Sequence, residues 1–102
     1  MVIFKINSYH INSGDTMELK TLFGKNVKYY RFRKCYTQEE LAERMDVTPN
    51  YISRLERGMH NPPFTMIEKV AKALGIEPYE LFIKRNDLQN MPDRVNLIDN
   101  RN

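Results

Sequence analysis

Cysteine, histidine and tryptophan are scarce in this sequence of 102 residues, which has one cysteine, two histidines and no tryptophan. Because Cys35 is alone, a disulfide within the chain and a zinc site built from several cysteines are both excluded. His10 and His60 lie fifty residues apart, and neither has a second ligand at metal-binding spacing. We therefore expect no metal and no cofactor, and we interpret both histidines as ordinary polar residues of the surface or of loops.

Long apolar runs are also absent from the sequence. No stretch approaches the roughly 18 apolar residues that a membrane-spanning helix requires. Residues 1–6 lack the charged start and long apolar stretch of a signal peptide. Hydrophobic residues nevertheless make up 41% of the chain, so one compact domain with a core is expected. The composition predicts a cytoplasmic protein that has no membrane partner.

Acidic residues are missing from the segment 20–34, although the whole chain carries a net charge of only +3. The basic residues of this segment are Lys20, Lys25, Lys28, Arg31, Arg33 and Lys34. Such a cluster is either the solvated face of a helix or an electrostatic footprint for the phosphates of a nucleic acid. Charge alone does not decide between the two interpretations.

From Thr21 onward, apolar residues recur at the spacing of one helix face, and short connections divide them into five predicted helices. The side chains predicted to point inward are Phe23, Val27 and Tyr30 in the first helix, Leu41, Ala42 and Met45 in the second, Ile52 and Leu55 in the third, Ile67, Val70, Ala71 and Leu74 in the fourth, and Leu81 and Phe82 in the fifth. Residues 17–83 are therefore predicted to form one all-α domain. Residues 1–16, with a short β-prone run at 2–6, are interpreted as an N-terminal extension, and residues 84–102 as a polar C-terminal tail.

Several helix boundaries are marked by residues that satisfy free backbone groups. Thr37 and Glu40 fit a capping box at the start of the second helix. Thr48 is predicted to cap the third helix, with Pro49 at its first position, where a missing N–H is tolerated. Gly58 is expected to end that helix. Since few residues join the second and third helices, the two are expected to cross sharply.

The third predicted helix has one apolar side and one polar side. Ile52 and Leu55 are expected to support the helix from behind. The residues left on its outward side are Asn50, Ser53, Arg54 and Arg57. A supported helix with an exposed polar face has the shape that fits the major groove of DNA.

Residues 37–58, TQEELAERMDVTPNYISRLERG, closely resemble the Xre family, which is the phage-repressor and Cro type of helix-turn-helix protein. The match continues through residues 61–62 (NP), 70–76 (VAKALGI) and 78–82 (PYELF), so that it covers about residues 21–82. This resemblance implies a five-helix repressor-like domain that binds double-stranded DNA.

The binding residues of the family carry over onto the matching positions of this sequence. The resemblance implies base contacts from Thr48, Asn50 and Arg54, and contacts with the DNA backbone from Thr37, Gln38, Tyr51, Arg57 and Asn61. It also implies that the third helix is the recognition helix, that Gln38 braces this helix, and that Arg31 and Glu56 form a salt bridge. The chemistry agrees, because asparagine can form two hydrogen bonds with adenine and arginine can form two with guanine.

Three of these roles have a structural alternative. In place of a DNA contact, the alternative role is a helix cap for Thr48, packing for Tyr51 and an ordinary solvated charge for Arg57. For Asn50 and Arg54, nothing in the fold demands the residue, which favours a role in binding.

The sequence departs from the family pattern at three places. Cys35 stands where relatives usually have the glycine that ends the first helix, and cysteine adopts the left-handed backbone only at a cost. Pro49 reduces the free amides at the start of the recognition helix. Tyr29 and Phe32 fall opposite the apolar side of the first helix, and exposed aromatic rings there suggest a covering partner, which is residues 1–16, the C-terminal tail or another subunit.

Three functions compete at this point. The first is a transcriptional regulator that binds a pseudo-palindromic operator as a homodimer. The second is an antitoxin whose residues 1–16 or 84–102 wrap a toxin, since a short polar tail can fold on binding. The third is a protein-interaction module that has lost DNA binding, and Asn50 and Arg54 argue against it. An enzyme is not expected, because no catalytic pair lies at sensible spacing.

Overall fold

The computed structural model describes residues 17–85, which fold into four α-helices and one 3₁₀ helix. The elements in chain order are α1 (Leu19–Arg33), α2 (Gln38–Met45), α3 (Pro49–Glu56), α4 (Phe64–Leu74) and the 3₁₀ helix (Pro78–Phe82). No strand occurs within residues 17–85, so the prediction of an all-α domain is confirmed for this part of the chain. The predicted β-prone run at 2–6 and the tail beyond Arg85 lie outside the described residues.

The fifth predicted helix is a 3₁₀ helix, so the α-helix count over residues 17–85 is four and not five. The amide of Glu80 donates to the carbonyl of Glu77 at 3.0 Å, which is the i to i+3 bond of a 3₁₀ turn. The Glu80 carboxylate in turn accepts a hydrogen bond from the amide of Glu77 at 2.9 Å. These two bonds complete a tight turn that spans five residues and does not continue as an α-helix.

The predicted caps of α2 and α3 are confirmed. The Thr37 hydroxyl accepts a hydrogen bond from the amide of Glu40 at 3.0 Å, and the Glu40 carboxylate accepts one from the amide of Thr37 at 2.8 Å. The Thr48 hydroxyl accepts a hydrogen bond from the amide of Tyr51 at 3.1 Å, and Pro49 is the first residue of α3. The start of the recognition helix is thus fixed by local sequence.

Within the described residues, two that are not glycine adopt the left-handed backbone, each just after a helix. Asp46 follows α2 with φ 57°, and Cys35 follows α1 with φ 59°. This conformation costs such a residue roughly 1–2 kcal/mol. Cys35 therefore has the backbone that the resemblance assigns to a glycine. At its other end, α1 starts two residues before the predicted Thr21, because the carbonyl of Glu18 accepts an α-helical hydrogen bond from the Leu22 amide at 2.9 Å.

The core consists of side chains contributed by every helix. The buried hydrophobic residues are Phe23, Val27, Tyr30, Leu41, Ala42, Met45, Ile52, Leu55, Val70, Ala71, Leu74 and Leu81. All were predicted to point inward. Ile67 and Phe82 are half-buried and pack against this cluster, with the Phe82 ring 5.5 Å from that of Phe23. The core thus holds α3 from its apolar side.

α1 and α3 meet at Gly24, where the two backbones approach each other closely. A Cβ atom at Gly24 would lie 2.4 Å from the carbonyl oxygen of Leu55 and 2.8 Å from that of Glu56. No side chain fits at this distance without a backbone shift. Gly24 therefore sets how near the recognition helix lies to α1.

Tyr29 and Phe32 are half-buried. The guanidinium of Arg85, in the predicted tail, lies 4.7 Å from the centre of the Tyr29 ring, which agrees with the prediction that the tail can cover this ring. The Phe32 ring lies 5.8 Å from the ammonium of Lys28 and 5.0 Å from the guanidinium of Arg31. Basic side chains of the same chain therefore cover both rings, as their long aliphatic stems allow.

Candidate nucleic-acid interface

A buried ion pair fastens the end of α3 to α1. Arg31 is 2% exposed and Glu56 is 8% exposed. The Arg31 Nε donates to Glu56 Oε2 at 2.6 Å, and its Nη2 donates to Oε1 at 3.0 Å. The remaining Nη1 donates to the carbonyl of Tyr36 at 2.9 Å. This two-pronged pair fixes both the distance and the orientation of the two helices.

Gln38, the first residue of α2, joins the same network. Its Nε2 donates to Glu56 Oε1 at 3.0 Å, so Gln38 braces the recognition helix in the way that the resemblance implies. An amide nitrogen carries two hydrogens, and one of them suffices for Glu56. The half-buried Gln38 side chain therefore retains a second N–H for an acceptor outside the protein.

The outward side of α3 is polar and positively charged. Asn50 and Arg57 are exposed and Arg54 is half-buried, whereas Ile52 and Leu55 on the opposite side are 0% and 1% exposed. At 3.6 residues per turn, Asn50, Arg54 and Arg57 share one face of the helix. The surface presents hydrogen-bond donors on a helix whose back is fixed in the core, which suits a base edge or a phosphate.

Three other predicted site residues already have hydrogen-bond roles within the protein. The hydroxyl oxygens of Thr37 and Thr48 serve as the caps described above, and each hydroxyl keeps its hydrogen as a donor. The Nε of Arg57 donates to the carbonyl of Ser53 at 3.3 Å, which holds its exposed guanidinium along α3. Asn61 is exposed in the loop between α3 and α4. All the predicted contact residues therefore lie at α2, at α3 or in the adjoining loop.

Tyr51 and His60 form a stacked pair at the side of α3. Their ring centres are 4.9 Å apart and their planes differ by 21°. Both side chains are half-buried, and burial raises the pKa of the Tyr51 phenol above its usual value. The sequence analysis missed this role of His60, because a contact between α3 and the following loop leaves no local pattern in the sequence.

Within residues 17–85, no group of three or more histidine, cysteine, aspartate or glutamate side chains is arranged to hold a metal ion. None of the helices described there combines the length and hydropathy needed to cross a membrane.

The model of the HTH_3 helix-turn-helix family matches residues 27–81, from the middle of α1 to the 3₁₀ helix. This span is more than half of the 102 residues. The chain belongs to the HTH_3 family. This membership confirms the Xre-type resemblance, and it places the protein among the DNA-binding regulators of transcription.

Individual proteins show similarity to this chain in sequence and in structure. The control protein C.BamHI of Bacillus amyloliquefaciens is 42% identical over 67 residues, which are 65% of this chain and 83% of that protein. The crystal structure of the hypothetical transcription factor NHTF from Neisseria superimposes with a TM-score of 0.64 at 33% identity, covering 72% of this chain and 86% of that one. The restriction-modification controller protein C.AhdI of Aeromonas hydrophila superimposes with a TM-score of 0.59 at 38% identity, covering 62% of this chain and 96% of that one.

Proposed function

We propose that this protein is a sequence-specific transcriptional regulator that inserts α3 into the major groove of an operator. One observation carries the proposal: α3 is held from behind by the core and by the Arg31–Glu56 pair, while its opposite face is polar and basic. A helix fits the width of the major groove, where each base pair presents a distinct pattern of donors and acceptors. A rigidly held helix can read that pattern without losing conformational entropy on binding.

Base recognition is assigned to Asn50 and Arg54, with Thr48 beside them at the start of α3. Asn50 and Arg54 are four residues apart, so their side chains project from the same face. Each has the geometry for a two-bond contact with a base edge, and such a contact is worth about 1–3 kcal/mol of discrimination.

Contacts with the DNA backbone are assigned to Thr37, Gln38, Tyr51, Arg57 and Asn61. These residues flank the base-reading face, at the start of α2, along α3 and in the loop after it. Phosphate contacts fix the register and orientation of a protein on DNA but carry no sequence information. Arg57, the positively charged residue of this set, also makes the affinity depend on salt concentration.

The regulator is proposed to act as a homodimer. A single domain with three base-reading residues makes few specific contacts. Two copies on half-sites about 34 Å apart double that number, and the symmetry of the pair requires a pseudo-palindromic operator.

Selection of bound sequences from a random duplex pool tests this proposal. We expect an enriched site with two inverted half-sites whose centres are one helical turn, or a multiple of it, apart. Recovery of a single unsymmetrical half-site would contradict the dimer. Recovery of no preferred sequence would contradict specific recognition by α3.

The antitoxin hypothesis stays a prediction, since the toxin-binding segments that it invokes, 1–16 and 84–102, lie almost wholly outside the described residues. A pull-down of the neighbouring gene product tests it. The interaction-module hypothesis is disfavoured by the outward donors of α3, and binding of duplex DNA in a gel shift would exclude a loss of DNA binding.

A further inference from the structure

His60 lies next to the recognition surface, although the family-derived site does not include it. Its ring is stacked on Tyr51, the neighbour of Asn50 in α3. Consecutive helix residues are about 100° apart around the axis. When Asn50 points toward the base edges in the major groove, Tyr51 therefore lies on the side of α3, which is called its flank below.

The flank of an inserted helix faces phosphates. An α-helix with its side chains is about 10–12 Å across, and the major groove is about 12 Å wide. The sides of the helix therefore come close to the sugar–phosphate walls of the groove. A polar group attached to the flank of α3 is within reach of a phosphate oxygen.

The imidazole of His60 is suited to this position. Stacking covers one face of its ring, while the side chain as a whole stays partly exposed. A neutral imidazole carries one N–H donor and a protonated imidazole carries two, and either form can donate to a phosphate. The segment 57–67 around it contains Arg57 and no acidic residue, so the local charge favours a phosphate.

We propose that His60 is a ligand of the DNA backbone and that the Tyr51 ring is the platform that holds it in place. This inference rests on the proposed insertion of α3 into the major groove. Tyr51 then contributes to DNA backbone binding by holding His60, in addition to the contact assigned to it above. Because stacking orders the imidazole before DNA arrives, less side-chain entropy is lost on binding.

Substitution of His60 tests the ligand. His60→Phe keeps a ring on the platform but removes the N–H donors, so affinity should fall about three- to tenfold, the range expected for one lost hydrogen bond. The same factor should apply to operator and to random duplexes, because a phosphate contact carries no sequence information. His60→Arg, which stacks and donates, should keep the affinity within about twofold of the unaltered protein. Melting temperatures should be alike in all three proteins.

Substitution of Tyr51 tests the platform. Tyr51→Phe keeps the stack and removes only the hydroxyl, so it should lose less affinity than Tyr51→Leu. Tyr51→Leu keeps apolar packing but removes the stack, and it should lose at least as much affinity as His60→Phe. The double variant with Tyr51→Leu and His60→Phe should lose no more than Tyr51→Leu alone, because Tyr51→Leu already removes the contact made by His60.

The outcomes separate this inference from the proposed function. If the unaltered protein fails to bind duplex DNA, both are overturned. If it binds and His60→Phe binds equally tightly, His60 is not a ligand. If Tyr51→Phe loses as much affinity as Tyr51→Leu, the phenol itself contacts DNA and the platform role is wrong.

Discussion

Arg31 is the largest fully buried side chain among the described residues, and all three of its nitrogens donate hydrogen bonds. Removing a charge from water is costly, and attraction to a partner repays the cost only when the geometry is good. Glu56 and the Tyr36 carbonyl supply that geometry. The resemblance implied this pair, but its burial and its link to Gln38 required the structure.

Loss of the Arg31 charge should destabilise the protein strongly. Arg31→Met keeps an apolar stem but leaves Glu56 buried without a counter-charge, so we expect the free energy of unfolding to fall by about 3–5 kcal/mol. The double variant with Arg31→Met and Glu56→Leu should recover much of that loss, because no buried charge remains unpaired. Urea denaturation measures the free energy of unfolding of the single and the double variant.

Arg33→Met provides the control, because it removes the same charge from an exposed position of α1. Its effect should stay within about 0.5 kcal/mol. A cost for Arg31→Met no larger than that of Arg33→Met would show that the ion pair does not contribute to stability.

At the scale of elements, the contact between α1 and α3 decides where the recognition surface lies. This contact has three parts: the close approach at Gly24, the shared core and the ion pair at the end of α3. A change at Gly24 therefore acts on the position of α3 without altering any residue that is proposed to contact DNA.

Gly24→Ala should destabilise the fold even though alanine favours helices. The intrinsic preference of alanine over glycine in a helix is about 1 kcal/mol, but the added Cβ would lie 2.4 Å from the Leu55 carbonyl oxygen. Overpacking of this kind typically costs about 1–3 kcal/mol, so we expect a net loss. Lys25→Ala, at the next position of α1, should be nearly neutral. A Gly24→Ala protein more stable than the unaltered one would place α1 and α3 further apart than described.

The elements that could be predicted from the sequence are those fixed by neighbours along the chain. The Thr37–Glu40 capping box, the Thr48 cap and the apolar spacing of α4 act over three or four residues, and the structure contains them all. The last helix, which contains Leu81 and Phe82, was predicted as part of an all-α domain. Its 3₁₀ geometry depends on the bond between Glu80 and Glu77, which apolar spacing does not encode.

Other features depend on contacts between distant parts of the chain. The Asn26 amide, which is fully buried, donates to the Ile83 carbonyl at 2.9 Å across a separation of 57 residues. The Arg85 guanidinium lies over the Tyr29 ring across a separation of 56 residues. No spacing rule connects such pairs. The Tyr51–His60 stack was missed for the same reason.

At the scale of the whole molecule, α1 connects the end of the domain to its recognition surface. Asn26 and Tyr30 contact the 3₁₀ helix and the residues after it, while Arg31 holds α3. Burial raises the pKa of Tyr30, an effect that the nearby Arg85 charge partly opposes. The arrangement favours recognition by a domain that is already in its binding shape, with specificity set by the side chains of α3.

Base reading is assigned to Arg54, and a comparison with Arg57 tests this assignment. Both are arginines on the outward side of α3, but Arg57 is assigned to the DNA backbone. The measurement is the affinity of the unaltered protein, Arg54→Ala and Arg57→Ala for operator and random duplexes at several salt concentrations.

Arg57→Ala should weaken binding to both duplexes by the same factor and reduce the slope of log affinity against log salt by about one. Arg54→Ala should weaken binding to the operator by about 1–3 kcal/mol more than binding to random DNA. Equal losses on the two duplexes for Arg54→Ala would contradict the account, because they would show that Arg54 positions the helix and does not read bases.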